Sequence, residues 1–135
     1  MAFGSYNRKF EPARTSKDWL TKDEKIVDRY LAEPRCTFLF TLNGYYNMFR
    51  GIYRLHNKKL LARMPKGLPV LLTSGAEDPV GDFGKGVERA AQTFRKAGME
   101  RVEVKLYAGD RHEILNETDR EQVYADLAQW LEGNL

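Results

Sequence analysis

An α/β fold, in which a helical region precedes a β-α-β-α unit with parallel strands, is predicted by three features of the sequence. Two short apolar runs, Leu68-Pro69-Val70-Leu71-Leu72 and Val102-Glu103-Val104-Lys105-Leu106-Tyr107, each end in a turn followed by ionisable residues. Between them, residues 82–98 carry Val87, Ala90, Ala91 and Phe94 at helical spacing, with Gly98 as a stop. After them, Val123, Tyr124, Leu127, Trp130 and Leu131 form the apolar stripe of a terminal helix that should pack on the sheet.

Residues 1–15 are polar and irregular, with Phe3, Tyr6 and Phe10 among Gly, Asn, Lys and Pro, and read as a loop. Residues 16–20 read as a single turn presenting Trp19. Thr21-Lys22-Asp23-Glu24 has the Thr-x-x-Glu form of a capping box and opens a short helix through Ile26, Val27, Tyr30 and Leu31 that ends at Glu33-Pro34. From Thr41 to Leu55, Tyr45, Met48, Phe49, Ile52 and Leu55 recur every three or four positions, predicting the longest helix of the first half despite Gly44 and Gly51. Residues 57–64 add a turn or two before Pro65 interrupts. Beyond the second strand, Thr118-Asp119-Arg120-Glu121 supplies a second Thr-x-x-Glu box. The expected organisation is a helical cap-like region over 1–64 and a β-α-β-α core over 65–135.

The 135 residues make one ordinary domain, 42% hydrophobic and 30% charged, which argues against disorder. No apolar run approaches the length of a spanning helix. The formal charge of +3 is spread among acids and bases, which does not favour nucleic-acid binding. Cys36 is the single cysteine, so no internal disulfide framework exists, and the first residues lack the apolar core of a signal peptide. A cytoplasmic protein is expected.

A parallel pair joined by a helix brings both carboxyl ends to one sheet edge. Asp78 and His112 should therefore be neighbours, where open parallel sheets place their reactive groups. An aspartate accepting from histidine Nδ1 fixes the tautomer and stabilises an imidazolium. Taken singly, Asp78 beside Pro79 is an ordinary turn former, and His112 between Arg111 and Glu113 an ordinary surface residue. Their pairing at two strand ends favours chemistry.

The stretches Leu-Pro-Val-Leu-Leu-Thr-Ser-Gly-Ala-Glu-Asp-Pro-Val-Gly (68–81), Leu-Tyr-Ala-Gly-Asp-Arg-His-Glu-Ile-Leu-Asn-Glu (106–117) and Asp18-Trp19-Leu20 resemble the carboxyl-terminal part of an α/β-hydrolase. The resemblance is to bacterial lysophospholipase or monoacylglycerol-lipase-like serine hydrolases and runs over nearly the whole chain. It implies a partial α/β-hydrolase fold that lacks the amino-terminal half of the sheet. It also implies Asp78 as the acid and His112 as the base of a triad that runs Ser, Asp, His along the chain, with hydrolysis of carboxylic esters of lysophospholipid or monoacylglycerol type. The family's Gly-x-Ser-x-Gly elbow does not occur in this sequence. The expectation is a fragment carrying the acid and base, inactive alone for want of the nucleophile.

No serine within the chain suits that role. Ser74 lies in a strand rather than on a strand-to-helix elbow, and Ser5 and Ser16 lack a glycine framework. Cys36 is expected to be a buried structural thiol. With His56 and His112 as the only histidines and no cysteine cluster, no metal and no cofactor are expected. The resemblance places a lid over the active site, so some of Phe38, Phe40, Tyr45 and Phe49 are expected to line a lipid-binding cleft. Two parallel strands cannot cover their own edges and faces, so self-association, or a separate chain supplying the missing half, is also expected.

Two other function classes are compatible with the residues. One is a non-catalytic remnant or interaction module that binds lipid or partner chains. The other is a regulatory α/β domain phosphorylated on Asp78, which would need further carboxylates to hold Mg²⁺; Glu77 is adjacent, and no earlier strand supplies the rest.

Overall fold

In a computed structural model that describes residues 5–36 and 38–134, seven regular elements follow one another. They are α1 (Glu24–Ala32), α2 (Leu42–Leu55), α3 (Lys58–Leu61), β1 (Val70–Gly75), α4 (Lys85–Lys96), β2 (Val102–Tyr107) and α5 (Arg120–Glu132). Short 3-10 turns cover Tyr6–Phe10, Pro34–Cys36 and Ile114–Asn116. Phe3 lies outside the described residues.

The strands form a two-stranded parallel sheet in register from Val70 opposite Val102 to Gly75 opposite Tyr107. Because side chains alternate along a strand, each face of this sheet meets a different helix. On one face Val70, Leu72 and Val104 pack with Phe94 and Met64 against Ala91, Met99 and Val102. On the other, Tyr107 packs with Ile114 of the preceding 3-10 turn and with Val123 and Leu127 of α5, and Lys105 Nζ reaches Asp126 at 2.6 Å. Val123 and Leu127 of the terminal stripe therefore meet the end of the sheet, whereas Tyr124 and Leu131 of the same stripe stay exposed. The order strand, helix, strand, helix with parallel strands is the β-α-β-α unit that the sequence predicts.

Neither predicted capping box forms. Asp23, not Thr21, caps α1, accepting from the Lys25 and Ile26 N–H groups. Thr21 Oγ1 instead lies 3.0 Å from both Glu117 Oε2 and the Asn116 carbonyl. Asp119 flanks α5 without a side-chain capping bond. In contrast, Thr41 does cap α2 through the Gly44 N–H. The helix after β1 begins at Lys85 rather than at residue 82, because Asp82, Phe83 and Gly84 all take positive φ.

The half before β1 is unevenly packed. Trp19, Leu20 and Val27 are buried, whereas α2 contains no buried residue. Leu42, Tyr53 and Leu55 are each more than 70% exposed. Strand β1 is itself only half-buried up to Ser74, although parallel strands are normally covered on both faces. Among the described residues, no helix is long and apolar enough to cross a membrane.

Candidate active site

The two loops that leave the sheet are locked to each other before either reaches its ionisable residue. The Ala76 N–H donates to the Tyr107 carbonyl and the Glu77 N–H to the Asp110 carbonyl, each at 2.8 Å. This close approach requires Gly75, since a Cβ there would lie 2.1 Å from the Arg111 carbonyl oxygen.

Asp78 follows in a tight turn and uses its two oxygens differently. Oδ1 accepts the Val80 N–H at 2.8 Å, holding the turn around Pro79. Oδ2 lies 3.0 Å from His112 Nδ1. The acid is 6% exposed, whereas the His112 side chain keeps 36% of its surface, so the buried carboxylate holds an imidazole that solvent can reach. Nδ1 is the ring nitrogen with a partner among the described residues, which leaves Nε2 for a reacting group.

Burial works against ionisation of Asp78, but the His112 hydrogen bond, the Val80 and Gly81 N–H groups and the imidazolium charge outweigh it, and the carboxyl titrates below its ordinary value. The hydrogen bond to Asp78 raises His112 against the opposing effect of burial, with the Asp78 and Glu113 charges adding to the rise. The pair favours the anion on one side and the cation on the other.

The segment before α1, which the sequence predicts as loop and turn, builds the other wall. The His112 N–H points to the Trp19 carbonyl at 3.4 Å, and the Glu113 N–H donates to that of Leu20 at 2.8 Å. The Arg111 guanidinium donates to the Asp18 and Thr21 carbonyls. The Trp19 ring lies 5.1 Å from the imidazole, centroid to centroid. Further back, Arg111 covers Phe10 and Lys9 covers Phe83, so the segment spans both post-strand loops. The signal for this was Asp18-Trp19-Leu20, whose match to a known pattern carried no statement of contact.

Sequence reasoning also missed three carboxylates. Asp110, Glu117 and Asp119 bring ligand atoms within 4.8 Å of one another. Lys22 Nζ sits 2.6 Å from Asp110 Oδ1 and 3.5 Å from Asp119 Oδ1, so the chain's own ammonium serves this cluster. Asp78 is not a member, and the pocket a phosphoacceptor needs is not assembled around it among the described residues.

Ser74 Oγ donates to the Gly75 carbonyl and to Asp78 Oδ2 at 3.4 Å. Cys36 is exposed, which corrects the buried thiol expected from the sequence. It follows Pro34 and Arg35 in a surface 3-10 turn with no buried residue.

Phe38, Phe40, Tyr45 and Phe49 form one continuous aromatic ladder, with successive ring centroids 5.2, 5.5 and 6.2 Å apart. No ring contact or hydrogen bond joins this ladder to Asp78 or His112 among the described residues. A cleft of about 590 Å³ lies between the α2–α3 connection and α4, lined by Leu55, His56, Leu61, Arg89 and Phe94 among others, and neither Asp78 nor His112 lines it.

A family model described as serine aminopeptidase, S33, matches residues 3–119. No match is found among curated proteins. Among solved structures, a highly thermostable carboxyl esterase from Bacillus coagulans in complex with glycerol is similar with a TM-score of 0.87 and 26% identity, over 98% of this chain and 43% of that one. A lipase in its open form gives 0.76 and 29%, over 96% and 42%. A soluble variant of monoglyceride lipase from Saccharomyces cerevisiae, in complex with a substrate analog, gives 0.66 and 24%, over 98% and 46%, a likeness of fold. The chain thus spans less than half the length of these structures.

Proposed function

Since the chain belongs to the serine aminopeptidase S33 family of α/β-hydrolases, we propose that it is the part of a serine hydrolase that carries the acid and base for cleaving carboxylic esters of lysophospholipid or monoacylglycerol type. The observation that carries this reading is the 3.0 Å contact between His112 Nδ1 and Asp78 Oδ2 at the carboxyl edge of the sheet.

His112 Nε2 takes the proton of a serine hydroxyl as that oxygen attacks the ester carbonyl, then returns it to the departing alcohol oxygen. Asp78 holds the tautomer and stabilises the imidazolium between the two steps. A water molecule then repeats the cycle on the acyl-serine. The serine and the oxyanion donors lie outside these residues, in a segment continuous with this chain or on a second chain. The absence of a Gly-x-Ser-x-Gly elbow from the sequence and the half-covered β1 both support this division.

Residues 1–64 are the cap region and 65–135 the core, with the Phe38, Phe40, Tyr45 and Phe49 ladder offering an apolar surface to an acyl chain. The exposure of Phe38, Phe40 and Phe49, together with that of the rest of α2, supports self-association or burial against the nucleophile-bearing part. A cytoplasmic location is the simplest companion to this reading, with no cofactor required. A non-catalytic remnant that binds partners would share the exposed apolar surface but not need the acid and base.

Mixing the purified chain with a polypeptide bearing the family's Gly-x-Ser-x-Gly half, then following hydrolysis of p-nitrophenyl esters of graded chain length, tests the proposal. Ester cleavage by the mixture, absent from either part and from a mixture made with His112→Ala, is expected. Equal turnover with His112→Ala would contradict it.

A further inference from the structure

We propose that Glu117 is the positioning residue for the base: its buried carboxylate clamps the loop that carries His112 to residues 19–22, and so sets the contact between His112 and Asp78. This deepens the function proposed above and rests on the Asp78–His112 pair being its acid and base.

Glu117 is fully buried, an expensive place for a carboxylate unless its oxygens are well supplied with donors. It is well supplied. Oε1 accepts the Arg111 N–H at 2.8 Å, and Oε2 accepts the Lys22 N–H at 2.9 Å with the Thr21 hydroxyl at 3.0 Å. An ionised carboxylate only accepts, with room for about four donors, so a single buried group can gather N–H and O–H groups from two distant segments.

The segments it joins are the ones that hold the base. Three consecutive backbone N–H groups, those of Arg111, His112 and Glu113, point out of the loop to Glu117 Oε1, the Trp19 carbonyl and the Leu20 carbonyl. Glu117 takes the first directly. Through Lys22 and Thr21 it also tethers the segment that supplies the other two. The salt bridge from Lys22 to Asp110 anchors the same segment to the start of the loop. A carboxylate that merely filled space would not bracket one residue from both sides.

The test is a proton NMR titration of His112 in the 135-residue chain, where Asp78 and Glu113 are the charged groups that raise its midpoint and Trp19 and Arg111 are its other neighbours. Wild type, Asp78→Asn, Glu117→Ala and Thr21→Val are compared, with amide dispersion reporting the fold. In folded Glu117→Ala, the His112 midpoint should fall toward the ordinary value of about 6.5, as in Asp78→Asn. Thr21→Val, which removes one donor and keeps the shape, should shift it part of the way. An unchanged midpoint in a folded Glu117→Ala, or in Thr21→Val should Glu117→Ala unfold, would overturn the proposal. An unchanged midpoint in Asp78→Asn would instead remove the pair itself, so the two failures are distinguishable.

Discussion

His112 Nδ1 and Asp78 Oδ2 lie 3.0 Å apart although 34 positions separate them in sequence. The contact exists because β1 and β2 are parallel and in register to their last residues, so both following loops emerge at one edge. Gly75 then lets those loops touch.

The pair should give stability a defined pH window. His112 titrates above its ordinary 6.5 in the folded chain, so its contribution is complete below 6.5 and is lost as pH rises through the folded value. Asp78 titrates below its ordinary 3.8, so its contribution is complete above 3.8 and is lost as pH falls through the folded value. Thermal unfolding of wild type and Asp78→Asn, scanned across pH, should differ most between about 3.8 and 6.5, converge as pH falls through the folded Asp78 value, and narrow without closing as pH rises through the folded His112 value, because the Val80 and Gly81 N–H bonds to Asp78 remain. A gap in Tm that stays constant with pH would argue that the two groups are not coupled.

Replacing Gly75 by alanine should be costly out of proportion to its size. The new methyl group meets two carbonyl groups, of Arg111 and Asp110, neither of which can swing aside as a side chain would. Destabilisation of about 1–3 kcal/mol or more is expected from such overpacking. Chemical denaturation would measure it, and a loss below about half a kcal/mol would mean that the loops part easily.

In the enzyme assembled with its nucleophile, His112→Ala should lower kcat by about 10²–10⁴, the usual worth of a positioned general base. Ser74→Ala should leave kcat within about threefold, because Ser74 Oγ makes only a long 3.4 Å approach to Asp78. A Ser74→Ala enzyme as impaired as His112→Ala would place this serine in the reaction.

The aromatic ladder should be felt in acyl-chain preference rather than in turnover. Phe40→Ala interrupts it at the ring that touches both Phe38 and Tyr45. We expect KM for long-chain esters to rise several-fold, while that for acetyl esters stays unchanged. A uniform change across chain lengths would assign the ladder to packing instead.

Much of this arrangement was legible in the sequence because the core obeys local rules. The two apolar runs, the stop at Gly98 and the stripe on α5 each encode their own element. Asp78 shows why single-residue readings compete: it is both the turn former and the histidine's partner, one oxygen for each. The first capping box failed because Thr21 and Glu117, 96 positions apart, satisfy one another across the molecule. Local patterning holds no record of that bond. The same long-range closure hid the role of Trp19, whose carbonyl and ring both reach His112 while its neighbours suggest only a turn. Cys36 was misplaced because thiols are usually buried, and here a surface turn carries it.

The most direct measurement is the intact mass of the purified chain after exposure to a fluorophosphonate, with His112→Ala treated in parallel. An activated serine hydroxyl displaces fluoride from the phosphorus and keeps the phosphonyl group; an unactivated one does not. The account predicts no adduct on either chain, since these residues carry an acid and a base but no nucleophile. A single adduct on the wild type that disappears in His112→Ala would contradict it and place an activated serine within the sequence itself.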